Sequence, residues 1–272
     1  KCKNKFNVLF CINQSFYIGF QTAIISLLVN NSNIIGDMIF HIGIDNTIDK
    51  DQLVGFMETL DVDYNITNIE EEYKTTELKV NYGIKTHYTL DKSAYYRIFM
   101  IDKMLKDHNL ERILYLDSDI LVLSNLYELT SMDLTKSLYA YPEDQDATAV
   151  IQSKELNNIH NYFNSGVLLI NAKSNLVRSQ IKKAIENTNK QENLVMHDQC
   201  ALNIAFNDGF GILEDKYNFL VHHQDLSFSD ADIVILHLSG RIKPWHEDYH
   251  QNEFIGRLWH SYYNMVTLWQ KK

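Results

Sequence analysis

The chemistry in this 272-residue chain centres on Asp117-Ser118-Asp119, which follows the apolar run Ile113-Leu114-Tyr115-Leu116 and precedes Ile120-Leu121-Val122-Leu123. Two carboxylates at i and i+2 just past a strand can share one hard divalent cation. Mn²⁺, or Mg²⁺ in its place, takes oxygen ligands and keeps positions open for a diphosphate. The spacing alone says little, because the chain has five Asp-x-Asp pairs, at 49/51, 61/63, 117/119, 144/146 and 230/232. Only the 117/119 pair sits between apolar runs, where two charges are costly unless something compensates them. The other four read as solvated turns.

A second stretch, Ile235-Leu236-His237-Leu238-Ser239-Gly240-Arg241-Ile242-Lys243-Pro244-Trp245, pairs with the first in chemistry. A histidine ending a buried strand offers an imidazole nitrogen to Mn²⁺. Gly240 lets backbone N–H groups approach a phosphate closely, and Lys243 adds a cationic donor. A core histidine followed by a surface loop is the alternative. Directly downstream, His246-Glu247-Asp248-Tyr249-His250 fits the H-E-x-x-H spacing of zinc hydrolases. That chemistry needs both histidines on one face of an established helix, and Pro244 leaves room for no more than a helix start.

Strands and helices must carry these groups. Phe6 to Ile12 is a continuous apolar run of the kind a strand buried on both faces shows, and Tyr17 to Val29 reads as a helix. Met38 to Ile44 is a second strand, Lys50 to Leu60 a second helix, and Asn65 to Ile69 a short third strand. Lys74 to Tyr88 is polar and aperiodic, hence a long loop, the class from which functional lids are drawn. Helical spacing resumes over Ser93 to Leu105, and Arg112 to Leu116 is the strand that runs into Asp117. This β-α-β-α-β order predicts a mostly parallel sheet with helices on both faces and a ligand crevice beyond the carboxyl ends of the strands. Farther on, Gly166 to Ile170 and Ile233 to His237 read as strands. Asn175 to Lys190 reads as a polar surface helix, His197 to Phe206 as another helix, and Glu253 to Gln270 as an aromatic-rich one.

These segments, taken in order, resemble glycosyltransferase family 8. The resemblance rests on Leu116-Asp117-Ser118-Asp119-Ile120-Leu121-Val122, then Asn164-Ser165-Gly166-Val167-Leu168-Leu169-Ile170-Asn171, then His197-Asp198-Gln199, then His237-x-x-Gly240-x-x-Lys243-Pro244-Trp245. It implies an α/β chain of GT-A fold: one Rossmann-like nucleotide-sugar-binding domain with a mostly parallel central sheet flanked by helices, continuous with an acceptor-binding half. The nucleotide-binding half would cover about residues 1–123, the acceptor half 124–250, and a C-terminal helix 251–272. It also implies a retaining, Mn²⁺-dependent transfer of galactose or glucose from UDP-galactose or UDP-glucose to a glycan or glycoprotein acceptor.

On that resemblance, Asp117, Asp119 and His237 are the metal ligands. Gly240 and Lys243 hold the diphosphate, with Ser118 and Ser239 beside them, and Arg97 contacts the donor phosphate or sugar. Asn164 and Ser165 line the donor-sugar pocket, with Asp198 and Gln199 at its inner end. Asp198, Gln199 and Arg97 are then the residues closest to the reaction. Cys11, Ile12, Asn13 and Phe16 form the uridine-binding turn. There, Asn13 and Phe16 replace the Asp and Tyr of many relatives but keep the ability to hydrogen-bond and stack on uracil.

Composition removes other classes. The 25 basic and 35 acidic residues give a net charge of −10, without the basic block a nucleic-acid binder uses to neutralise phosphates. At 45 % hydrophobic and 22 % charged, the chain can bury a core. Cys2, Cys11 and Cys200 are too few and scattered for a disulfide framework, which favours a reducing compartment. The longest apolar stretch, Ile18 to Val29, is interrupted by Gln21, Thr22 and Ser26 and is too short to span a bilayer. No secretory signal is visible. The expectation is a cytoplasmic protein, at the inner face of the membrane if Trp259, Tyr262, Tyr263, Trp269, Lys271 and Lys272 form an interfacial helix. Against a transferase stand a GT-A-like module that only binds a glycan or protein, and a zinc hydrolase using His246, Glu247 and His250. The run Glu70-Glu71-Glu72 reads as a solvated face, and His222-His223 as structural or acceptor-side.

Overall fold

A computed structural model of the chain describes residues 5–73, 92–143, 161–190, 194, 196–207, 209–221, 232–250 and 252–270. The expected loop at 74–88, His222-His223, Asp144/Asp146, Asp230, Lys271 and Lys272 lie outside the described residues.

The expected β-α-β-α-β half is present as β1 (Phe6–Ile12), α1 (Tyr17–Asn30), β2 (Met38–Ile44), α2 (Lys50–Thr59) and β3 (Tyr64–Asn68). It continues through α3 (Ile69–Glu72) and α4 (Tyr96–Met104) to β4 (Arg112–Leu116). β1 lies between β2 and β4, parallel to both, and β3 adds parallel to β2. Its side chains alternate between two cores. Val8, Phe10 and Ile12 pack towards α1 and α2, whereas Leu9 and Cys11 pack towards α4 and the helices of the second half. That double burial is why β1 is almost wholly apolar, its one polar residue, Asn7, being buried with its side chain hydrogen-bonded to Lys5, Arg112 and His41.

The remainder is β5 (Ile120–Val122), α5 (Tyr127–Ser131), β6 (Leu138–Pro142), β7 (Phe163–Asn171), α6 (Val177–Lys190), α7 (His197–Ala205), β8 (Gly211–Ile212), β9 (Phe219–Leu220), β10 (Ile235–His237) and α8 (Glu253–Trp269). The seven-stranded sheet runs β3-β2-β1-β4-β7-β6-β8, and its antiparallel pairings are β4 with β7 and β7 with β6. β5, β10 and β9 form a separate three-stranded sheet. The Asp117–Asp119 segment is therefore the step from one sheet to the other.

Boundaries moved where a cap decided them. Ile69 leaves β3 and starts α3, because the Asn68 side chain accepts the Glu71 N–H. The Glu70–Glu72 run is thus a first helical turn, with Glu71 and Glu72 exposed as a solvated face requires. Glu70 accepts from the Tyr96 hydroxyl at 3.3 Å, and Glu72 pairs with Lys103 at 3.0 Å. α8 is capped by Asn252 and lies along α1, with Asn30 Nδ2 donating to the Tyr262 hydroxyl at 3.0 Å. Of the aromatics on this helix, Trp259 is buried, stacks on Tyr263 and tilts against Trp245, while Tyr262, Tyr263 and Trp269 are half-buried. Among the described residues, no helix is long and apolar enough to cross a membrane.

Candidate active site

Two strand registers assemble the site. In the large sheet Leu116 pairs with Val167, and the next N–H, of Asp117, donates to the Gly166 carbonyl at 2.8 Å. In the small sheet His237 pairs with Ile120, and the Leu238 N–H donates to the Asp119 carbonyl at 2.8 Å. Residues 120 apart in sequence are thereby brought side by side. His237 Nε2 lies 3.4 Å from Asp119 Oδ1 and 3.9 Å from Asp117 Oδ2. One donor atom from each of the three falls within 4.8 Å of the others, and among the described residues no other group of three metal-ligating side chains does so. Two carboxylate oxygens and one imidazole nitrogen suit a divalent cation that accepts both ligand types.

The unused faces of these ligands are tied down. Asp117 Oδ1 accepts from the Tyr115 hydroxyl at 2.6 Å and pairs with Arg97 at 3.1 Å, which leaves Oδ2 towards His237. Burial holds the Asp117 carboxyl above its ordinary pKa; Arg97 opposes this and Asp119 reinforces it. Asp119 Oδ2 pairs with Lys243 Nζ at 2.5 Å, and the same ammonium donates to the Leu238 carbonyl. Burial works to raise the Asp119 carboxyl, yet Lys243 and then His237 hold it well below the carboxylate range.

Arg97, at the start of α4, is the hub on the other side. It is buried, stacks over the Tyr115 ring at 4.7 Å, pairs with Asp198 at 3.0 Å and donates to the Ser165 carbonyl at 2.7 Å. Asp198 lies in the first turn of α7, after His197 at φ 48°. Burial pushes its carboxyl up to about 6, with Arg97 pulling the other way. Gln199 is fully engaged: Oε1 accepts the Ser165 N–H at 2.9 Å, and Nε2 donates to Glu143 at 2.7 Å. Asn164 and Ser165 lie inside β7, not in a loop, and both are buried.

The expected uridine turn sits beyond the end of β1. Asn13 Oδ1 caps the 3₁₀ turn Gln14–Phe16, accepting the Phe16 N–H, and Nδ2 donates to Ser93. Phe16 meets Trp245 edge-on, Ile12 is buried, and Cys11 is half-buried with its thiol pushed far up, chiefly by desolvation. Ser118 is buried, Ser239 is half-buried, and Gly240 has φ 114°, a backbone that glycine adopts freely. So Asp117, Asp119, His237, Lys243, Arg97, Ser165, Asp198 and Gln199 form one connected cluster, and Asn13 and Phe16 stand at the β1 exit, Phe16 against Trp245, two residues beyond Lys243.

The zinc-hydrolase alternative is corrected by the backbone. Residues 246–250 form turns and irregular chain rather than a helix, so His246 and His250 share no helix face. His246 Nδ1 accepts the Lys243 N–H, and His246 and Glu247 line a separate hollow of about 550 Å³ with Trp245, Tyr249 and His260. Three residues of the site were not anticipated: Tyr115, Glu143 and Asn218. Tyr115 was within reach, because side chains at i and i+2 of a strand share a face and it stands two before Asp117.

Known proteins share this arrangement of strands. The family model described as glycosyl transferase family 8 matches residues 7–249. General stress protein A of Bacillus subtilis is 28 % identical over 175 residues, 58 % of this chain and 61 % of that protein. A lipopolysaccharide 1,2-glucosyltransferase of Escherichia coli is 28 % identical over 264 residues, 90 % of this chain and 74 % of that one. Among solved structures, the galactosyltransferase LgtC, in complex with donor and acceptor sugar analogues, superposes with a TM-score of 0.72 at 20 % identity. That match covers 96 % of each chain. GlyE of Streptococcus pneumoniae superposes at 0.67 and 23 % identity over 99 % of this chain, which spans 63 % of GlyE. The fold is that of the GT-A glycosyltransferases.

Proposed function

Because the chain belongs to glycosyltransferase family 8, we propose that it is a retaining, Mn²⁺-dependent hexosyltransferase taking galactose or glucose from a UDP-sugar to a glycan or glycoprotein acceptor. The observation that carries the reading is the convergence of Asp117, Asp119 and His237 at the seam of two sheets. The relatives named for lipopolysaccharide 1,2-glucosyl and 1,3-galactosyl transfer support a hexose donor. We also propose that the protein works in the cytoplasm.

When bound by Asp117, Asp119 and His237, the metal supplies Lewis-acid stabilisation of the departing diphosphate. Lys243 and Arg97 add fixed positive charge where negative charge grows in the transition state. Asp198, ionised, accepts hydrogen bonds from hydroxyls of the donor sugar, with Arg97 and Ser165 fixing its orientation. Gln199 is an amide, a poor nucleophile, and both ends of that amide are occupied by Ser165 and Glu143. Same-face attack follows as the route to retention. The acceptor oxygen forms the new bond to the anomeric carbon as the bond to the β-phosphate oxygen breaks, and the acceptor proton passes to that phosphate oxygen, giving UDP. A panel of UDP-sugars tested for Mn²⁺-dependent UDP release, with and without glycan acceptors, tests this; failure to hydrolyse or transfer any of them contradicts it.

The raised Asp198 carboxyl sets a pH limit. It is a carboxylate above about pH 6 and neutral below, and the neutral form gives up charge-assisted acceptance of sugar hydroxyls. Transfer therefore declines as pH falls through that value. A kcat/KM profile measures this, and Asp198→Asn is expected to lower the plateau and flatten the acid limb.

A further inference from the structure

Asn218 is fully buried between β9 and the 3₁₀ turn Asp215–Tyr217, and its side chain joins two parts of the site. Its Oδ1 is 2.8 Å from His237 Nδ1, and its Nδ2 is 2.9 Å from Asn164 Oδ1. The direction of this chain can be deduced from its far end. The Gly166 backbone N–H, which can only donate, points at Asn164 Oδ1 at 2.9 Å. The atom it meets is therefore the Asn164 carbonyl oxygen, and the Asn218 atom facing that oxygen must be the NH₂. Asn218 Oδ1 is left to accept, so the hydrogen facing it belongs to His237 Nδ1. A neutral imidazole with its proton on Nδ1 has its lone pair on Nε2, and Nε2 is the nitrogen that faces Asp117 and Asp119.

We propose that Asn218 is a positioning residue that fixes the tautomer and aim of His237, and that through Asn164 it ties this ligand to the strand expected to line the donor sugar. The proposal rests on the reading of Asp117, Asp119 and His237 as a divalent-cation site. Outer partners of this kind set ring orientation and ligand basicity, and their loss typically weakens metal binding 10–100-fold. Among the described residues, Asn218 is the hydrogen-bond partner of the Nδ1 edge, and β7 packs close beside it: the Cβ that an alanine at position 166 would carry falls 2.8 Å from that nitrogen.

Two readouts test it. The first is the ¹⁵N shifts of the His237 ring in the metal-free wild-type protein, expected to report an Nδ1–H tautomer; an Nε2–H tautomer overturns the proposal whatever the metal does. The second is Mn²⁺ affinity by electron paramagnetic resonance for wild type, Asn218→Leu and Asn218→Asp. Asn218→Leu is expected to bind 10–100-fold more weakly, with mixed tautomers at His237, whereas Asn218→Asp, which keeps an oxygen on Nδ1, retains affinity. Wild-type affinity in a folded Asn218→Leu protein overturns it. If Asn218→Leu fails to fold, affinity lost equally in a folded Asn218→Asp protein overturns it. Failure of the wild type to bind Mn²⁺ at all condemns the metal reading instead, and the tautomer still decides the role of Asn218.

Discussion

Arg97→Met is expected to remove about 3–5 kcal/mol of folding stability, the usual cost of stripping one partner from a buried ion pair, together with measurable transfer. Arg97 lies between two buried carboxylates, 3.1 Å from Asp117 and 3.0 Å from Asp198. Both already sit above their ordinary pKa because of burial, and Arg97 is the main influence holding each down. Methionine fills much of the volume but leaves two desolvated charges facing each other. Total stability of a domain is about 5–15 kcal/mol, so the loss is large. Denaturant unfolding at pH 7 measures it. Adding Asp198→Asn to the variant removes one orphaned charge and is expected to restore part of the stability without restoring activity. A loss below about 1 kcal/mol, the range of exposed pairs, contradicts the hub assigned to Arg97.

Gly166→Ala is expected to disable the metal site with a smaller effect on the fold. A Cβ at this position falls 2.2 Å from His237 Cε1, 2.8 Å from His237 Nδ1 and 2.9 Å from Asp117 Oδ2. The imidazole cannot yield easily, because it is buried and held by Asn218 on one edge. Overpacking of this kind costs about 1–3 kcal/mol. The ligand shift is expected to weaken Mn²⁺ binding at least 10-fold, as other disturbances of ligand orientation do. Isothermal titration with Mn²⁺, beside a melting curve, separates the two effects. Unchanged affinity means that His237 does not need the place it occupies.

Legibility in the sequence followed the length of the signal. β1, β2 and β4 are five to seven mainly apolar residues, each carrying a single polar or charged one (Asn7, His41, Arg112), and read as strands, β1 as a doubly buried one, so the parallel core and its crevice followed. The Asp117–Asp119 pair stood out because it interrupts such runs, and its neighbours explain why: the segment leaves one sheet for another. β10 lies inside the expected strand Ile233 to His237, but β8 and β9 are two residues each, too short for any periodicity. Asn218 was invisible for that reason, since only the β9–β10 pairing carries it to His237. Asn164 and Ser165 were expected at the site but not inside a strand, because polar residues at the start of β7 mask its extent. The burial of Trp259 on α8 was also hidden. Helical spacing shows that Trp259 and Tyr263 share a face, but not whether that face meets α1 or a membrane.

The account stands on one cation held by Asp117, Asp119 and His237 at the seam of the two sheets. Crystals grown with Mn²⁺ and UDP, measured at the manganese absorption edge, test it most directly. The predicted result is one anomalous peak within coordination distance of all three side chains, with the diphosphate on its open side near Lys243. A peak ligated elsewhere, or none between these residues in crystals that contain bound UDP, would contradict it.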